Sequence, residues 1–202
     1  IGQGPAARTI RIPIPKFTLM GATTKAGRVS APLHSRFGIS VRMNYYTNRE
    51  IIQILRRSAG ILGVPLETEA ARHIALCARG TPRVANRLLR RMRDFAQVLG
   101  TGTIDADVVA TGLERLRIDS HGLEQHDREI LRIIVEKYAG GPVGADTLAI
   151  SVGEASETLE DYYEPYLIQR GFLKRTPRGR MATASAYKLF NLVAPNGEDQ
   201  GL

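Results

Sequence analysis

The stretch Gly80-Thr81-Pro82-Arg83-Val84-Ala85-Asn86-Arg87-Leu88-Leu89-Arg90-Arg91-Met92-Arg93 constrains this chain more than any other. It reads as the start of a helix. Gly80 suits a left-handed residue closing the preceding helix, Thr81 suits an N-cap, and Pro82 suits the first helical position, where its missing N–H costs nothing. Val84, Ala85, Leu88, Leu89, Met92 and Phe95 recur at helical spacing and define a buried face. Arg83, Arg87 and Arg90 share the other side. Arg83 lies in the first turn, where free N–H groups and the positive dipole end favour an anion and repel a cation. An arginine there is unfavourable unless it meets a phosphate or a carboxylate. The competing reading is a solvated basic face.

The chain has 202 residues, enough for one or two domains with real cores. Hydrophobic residues make up 43% and no long apolar run occurs, which excludes a helical membrane span from consideration. The single cysteine, Cys77, rules out an internal disulfide and is expected to be a small buried hydrophobe in a reducing compartment. The first residue is Ile and no signal-peptide pattern follows it, so the expectation is a segment of a longer protein.

Charge is distributed unevenly. Residues 1–93 carry 17 Lys or Arg against 3 Asp or Glu, residues 94–164 carry 5 against 15, and residues 165–202 carry 6 against 2. Two basic blocks around an acidic one predict two anionic contacts, or an acidic segment docked on a basic neighbour. Only five of the 28 cations are Lys, and Arg favours bidentate grips on phosphate and carboxylate.

Along the chain, Thr9 to Ile14 alternates apolar and polar residues and reads as an edge strand, because Pro13 cannot donate to a ladder. Ile12 and Ile14 share one face, for a core or for a docked partner. Phe17 to Thr24 reads as a buried strand ending in a polar turn, and Ile39 to Met43 as another short strand. Thr47-Asn48-Arg49-Glu50 is a capping box opening an amphipathic helix. Helices over about 68–79, from Pro82, and from Asp105 to about Arg115 complete an all-helical unit.

Residues 119–126 read as a linker. Helices over about 127–138, 145–152 and 157–170 follow, then strands 172–175 and 180–183 around the turn Thr176-Pro177-Arg178-Gly179. Three helices and a hairpin are the layout of a winged helix. Lys174, Arg175, Arg178 and Arg180 make that hairpin basic, which points to DNA-backbone contact. The helix before it is acidic (Glu157, Glu160, Asp161, Glu164), so the wing and not the helix is expected to touch DNA, by charge and shape with little sequence preference.

Other chemistries lack support. His34, His73, His121 and His126 show no metal spacing with one another or with Cys77, so no metal site is expected. The 202 residues contain no Gly-Lys-Ser/Thr phosphate loop and no apolar strand ending in Asp-Glu.

These motifs resemble the RuvB family of bacterial AAA+ motors, which drive branch migration at Holliday junctions. The resemblance runs from residue 1 to about 192. It is carried by Ile1-Gly2-Gln3-Gly4-Pro5-Ala6-Ala7-Arg8, Phe17-Thr18-Leu19-Met20-Gly21-Ala22-Thr23-Thr24, Arg36-Phe37-Gly38-Ile39, Gly80-Thr81-Pro82-Arg83, Asp94-Phe95-Ala96, Gly140-Gly141-Pro142-Val143-Gly144, Glu164-Pro165-Tyr166-Leu167-Ile168-Gln169 and Arg175-Thr176-Pro177-Arg178-Gly179-Arg180.

The resemblance implies a mixed, mainly α fold. Residues 1–47 would be the end of the large AAA+ α/β subdomain, 48–118 the helical AAA+ lid, 119–192 a winged-helix DNA-binding domain and 193–202 a tail. It further implies that Thr24 is sensor 1 and that Arg36 is the arginine finger acting on a neighbouring subunit's ATP. Tyr46 and Arg83 would be nucleotide contacts, Arg83 as sensor 2. Ile12 and Ile14 would bind RuvA, and Arg175 and Arg180, with Arg178 and Lys174 beside them, would bind DNA.

The parent implied is a cytoplasmic bacterial, hexameric ATP- and Mg²⁺-dependent helicase in recombination and repair, with Holliday-junction DNA, RuvA and RuvC as partners and no membrane. This stretch alone is expected to bind no nucleotide tightly and to be inactive. Three departures stand out: Ser156 replaces a DNA-contact arginine, His34-Ser35 replaces an Arg-Asp pair, and Tyr162-Tyr163 replaces two aliphatics. The alternatives on the residues themselves are a non-enzymatic winged-helix DNA-binding regulator and a partner-docking module.

Overall fold

A computed structural model describes residues 13–23 and 26–195. It divides into two units, one up to Met43 and one from Asn44.

In the first unit the described residues form a 3₁₀ turn (Ala26–Arg28) and a short helix α1 (Ala31–His34), and no strand. The strands expected at 17–24 and 39–43 are therefore absent over their described residues. A strand needs a neighbour for its N–H and C=O groups, and no ladder partner occurs among the described residues. The apolar pattern that suggests strands is left facing outward, with Met20 87% and Ile39 83% exposed. The remainder of the expected edge strand, including Ile12, and the sensor position Thr24 lie outside the described residues.

The second unit opens with four helices: α2 (Asn48–Leu62), α3 (Thr68–Cys77), α4 (Pro82–Val98) and α5 (Ala106–Arg115). The capping box at α2 is present. Thr47 N–H donates to Glu50 Oε2 at 2.8 Å, and Glu50 N–H donates to Thr47 Oγ1 at 3.3 Å. Ile51, Leu55 and Ala59, spaced four apart, turn inward against Ile74 of α3, Leu88, Leu89 and Met92 of α4, and Val109 of α5. Burying each large aliphatic side chain contributes about 1.5–3 kcal/mol. A parallel bridge between Leu66 and Ile104 ties the start of α3 to the start of α5.

Residues 119–126 are a packed joint, not a linker. The Asp119 carboxylate accepts the N–H groups of His121 and Leu123, each at 2.9 Å, and the Leu123 side chain is buried in the following core. Local hydrogen bonding of this kind is not visible in composition, which registers only polar residues.

The second layer is α6 (Gln125–Arg132) continued by a π turn (Ile133–Lys137), α7 (Ala145–Val152), and a long helix. That helix runs as α8 (Ser156–Thr158), a π turn (Leu159–Tyr163) and α9 (Glu164–Gln169). The π turn sits just before Pro165. A proline inside a helix donates no N–H and crowds the carbonyl four residues back, so the turn widens, and Glu164 N–H reaches Leu159 C=O.

Strands β1 (Leu173–Thr176) and β2 (Gly179–Ala182) pair antiparallel, with Arg175 opposite Arg180. Val143 bridges to Arg180 on the far side of β2, through N–H···O=C bonds of 2.9 and 2.8 Å. A last helix, α10 (Ala184–Leu189), packs Ala186 into the core formed by Leu131, Ile134, Leu148, Leu159, Leu167 and Phe172. The expected three helices and hairpin are all present.

Candidate functional site

Two places in the second unit hold most of the arginines that the sequence singles out. The first is the loop between α3 and α4. Arg79 and Gly80 are both left-handed, with φ of 55° and 61°, so the chain turns sharply after α3 and re-enters a helix at Pro82. Thr81 occupies the N-cap position, but its hydroxyl donates to the Arg79 carbonyl at 3.1 Å and caps nothing. No acidic residue lies in the first turn of α4.

Its N–H groups thus have no side-chain acceptor there, and Arg83 stands exposed with no ion pair among the described residues. Tyr46 is brought to this loop by its backbone: its N–H donates to Gly80 C=O at 2.9 Å. The structure therefore joins Tyr46 to the turn that carries Arg83, 37 residues further along the chain. An uncapped helix start with an unpaired guanidinium fits a phosphate group.

In the first unit, Arg36 follows α1, is exposed, and has no ion pair among the described residues. Ser35 beside it donates its hydroxyl to Pro32 C=O at 3.1 Å, closing the turn that presents Arg36. Ile14 is 70% exposed.

The second place is the wing. Its four cations are not equivalent. Lys174 and Arg178 are exposed and carry no ion pair among the described residues. Arg175 is half exposed and donates from Nε and Nη2 to Glu164 Oε2, at 3.0 and 2.6 Å. Arg180 is only 9% exposed. It donates from Nε to Glu164 Oε1 at 2.6 Å and from Nη2 to Glu160 Oε1 at 2.5 Å.

Burial pulls the Arg180 guanidinium down, but its hydrogen bonds to Glu164 and Glu160 outweigh that and hold it firmly protonated. Two arginines directly opposite across a ladder repel, and the buried Glu164 carboxylate between them removes the conflict. Of the four cations singled out by sequence, Arg180 thus lies beneath the wing surface while the other three reach solvent.

The acidic helix gains an explanation. Glu160 and Glu164, one turn apart, neutralise the wing from below. The one-turn spacing is legible in the sequence, but the partners are not, because they lie 11 to 20 residues away on a strand. Ser156 donates its hydroxyl to Asp146 Oδ1 at 2.5 Å, so this position brings a carboxylate where an arginine would present a cation. Tyr163 is buried, with its ring edge-on to exposed Tyr162 at 4.9 Å, and burial pushes its hydroxyl up to about 12.

Cys77 is buried, as expected, and burial with the nearby Asp119 charge pushes its thiol up to about 11. Among the described residues no group of His, Cys, Asp and Glu could hold a metal, and no helix is long and apolar enough to cross a membrane.

Three family models match the chain in succession. Residues 1–43 match the Holliday junction DNA helicase RuvB P-loop domain, 46–119 the RuvB AAA lid domain and 120–191 the RuvB C-terminal winged helix domain. The Holliday junction branch migration complex subunit RuvB of Treponema denticola is 64% identical over 195 residues, covering 96% of this chain and 57% of that protein. The same subunit of Lawsonia intracellularis is 55% identical, over 96% and 57%. The solved structure of the Thermotoga maritima RuvB Holliday junction branch migration motor superposes with a TM-score of 0.80 at 47% identity, over 84% of this chain and 57% of that one. The chain thus spans a little over half the length of the relatives it matches. Mainly helical, with a lid followed by a winged helix, and matched in order by three RuvB models, the chain belongs to the RuvB family.

Proposed function

We propose that this chain supplies the nucleotide-sensing and DNA-gripping parts of an ATP-driven ring motor that moves Holliday junctions during recombination and repair. The observation that carries the reading is the pair of basic sites: an uncapped helix start where Arg83 has no ion pair among the described residues and Tyr46 bonds the preceding loop, and a wing that exposes Lys174, Arg175 and Arg178 above the buried Glu164 carboxylate.

At the first site, Arg83 acts as sensor 2 and Tyr46 lies against the nucleotide. Arg36 acts as the arginine finger in a neighbouring subunit's site, stabilising charge as the γ-phosphate leaves, and Thr24 is sensor 1. ATP supplies the phosphoryl group, and Mg²⁺ is held by residues outside those of this chain. Lacking a Gly-Lys-Ser/Thr loop, these 202 residues alone hydrolyse nothing. At the second site, Lys174, Arg175 and Arg178 contact phosphates of the duplex, and Arg180 fixes their posture from beneath.

Ile14, exposed, and Ile12 dock RuvA. The apolar side chains exposed at Phe17, Leu19, Met20, Ile39, Val41 and Met43 are the surface on which the rest of the large ATPase subdomain packs. A hexameric ring, association with RuvC and a bacterial cytoplasmic setting complete the reading.

The test is the full-length protein with Arg36→Ala. ATP binding persists and hydrolysis falls by about a thousandfold or more, the scale of a removed arginine finger. Normal turnover would reject the finger, and failure of the parent protein to hydrolyse ATP with DNA present would reject the motor.

A further inference from the structure

The loop that carries Gly80 and leads into Arg83 of α4 also holds the winged helix. Arg79 belongs to the helical lid, yet its side-chain contacts lie in residues 122–166. Its guanidinium donates to Asp127 Oδ2 at 2.5 Å and to Gly122 C=O at 3.3 Å, and stands 3.7 Å from Glu124 Oε1. It also lies over the Tyr166 ring, 4.4 Å from the centroid. The side chains of Arg79 and Asp127 are 9% and 0% exposed.

Asp127 is doubly engaged. Its Oδ2 also accepts Glu124 N–H at 2.7 Å, so one carboxylate both starts α6 and receives Arg79. Arg87 of α4 reinforces the joint through Glu124 at 3.0 Å, and Tyr166 donates to His121 C=O at 2.6 Å. The backbones approach closely as well. A Cβ on Gly122 would come within 2.9 Å of Cys77 Cα and 2.6 Å of the Tyr166 hydroxyl.

The backbone of Arg79 is equally committed. Its carbonyl takes the Thr81 hydroxyl, and the next carbonyl, Gly80, takes Tyr46 N–H. One short loop thus has Tyr46 hydrogen-bonded to its main chain, Arg83 just beyond it in the first turn of α4, and the winged helix bound to its Arg79 side chain.

We propose that Arg79 and Asp127 are a positioning pair that fixes the winged helix to the nucleotide-sensing loop, so that a movement of Tyr46 and Arg83 is delivered to the wing as a rigid turn. This rests on the motor reading above. Pairs of this kind set geometry more than stability, because taking both charges out of water offsets most of their attraction. Both side chains are buried within the joint and turn no surface to a ligand, so the pair governs how much DNA moves per ATP and not how fast ATP is hydrolysed.

The test uses full-length protein with Asp127→Asn and, separately, Arg79→Lys, the second keeping the charge so that folding survives if the first disturbs it. Fluorophores at Val98→Cys and Ile150→Cys, both exposed, report the distance between lid and winged helix in sparsely labelled protein. The expected result is ATP turnover and duplex affinity near wild type, a broadened distance distribution, and base pairs moved per ATP lower by about tenfold, within the range of a typical coupling between sites.

Unchanged movement per ATP would overturn the proposal. So would turnover and movement falling in proportion, or movement abolished with the distance distribution intact. A parent protein that neither binds duplex nor hydrolyses ATP would reject the motor reading instead. The distance measurement would still report whether the clasp holds.

Discussion

Glu164 and Arg180 lock together beneath the wing, carboxylate Oε1 to guanidinium Nε at 2.6 Å, with Glu164 only 1% exposed. The same carboxylate reaches Arg175 from its other oxygen. One buried anion therefore sets the positions of two cross-strand cations.

Glu164→Ala should destabilise the chain by about 3–5 kcal/mol, because it leaves the Arg180 charge buried without its main partner. Urea unfolding of wild type and variant reads this directly. Glu164→Gln, which keeps an acceptor, should cost less. Equal stability of wild type and the Ala variant would show that Glu160 alone suffices.

Lys174→Ala with Arg178→Ala should leave the melting temperature unchanged, since neither residue has an ion pair among the described residues. Duplex affinity should fall, and the slope of log K against log salt should shrink by about 0.9 for each phosphate that the wing no longer neutralises. A constant slope would mark the wing as a protein-docking surface.

Cys77 should react with a thiol reagent only as fast as the protein opens. Its thiol is pushed up to about 11 and its side chain is buried, and the thiolate is the reactive form. Labelling at pH 8 with and without denaturant gives the comparison. Rapid reaction of the native protein would contradict the burial.

Asp127 makes a prediction of unusual sign. Burial raises its carboxyl above the ordinary 3.8, against the opposing pull of Arg79. The folded chain then binds this proton at higher pH than the unfolded chain does. Its contribution to stability is full below 3.8 and disappears as pH rises through the native value. Relative to Asp127→Asn, the wild type should therefore gain stability between neutral pH and about pH 4. A relative loss over that window would mean that Arg79 dominates burial.

The helices, the capping box and the hairpin are legible in the sequence because each rests on neighbours a few residues away. Ile51, Leu55 and Ala59 announce a buried stripe, and Thr47 with Glu50 announces its start. Residues 157–170 read as one plain helix, and only the structure shows the π turn just before Pro165. The strands expected around Met20 and Ile39 do not form among the described residues for the opposite reason: alternation shows that a segment can pair, but pairing needs a partner strand.

The sequence by itself determined the family, the order of lid and winged helix, and which arginines stand out, since motif spacing and periodicity are local properties of the chain. Only the tertiary structure decided that Arg180 is buried on Glu164 while Lys174 and Arg178 face solvent, that Arg79 joins the lid to Asp127, and that 119–126 is a joint and not a linker. The first two outcomes depend on which charges meet across 11 to 48 residues of chain, where burial and desolvation decide a side chain's role and no local pattern records it, and the third on Asp119 folding back onto the N–H groups of His121 and Leu123 under the buried Leu123 side chain.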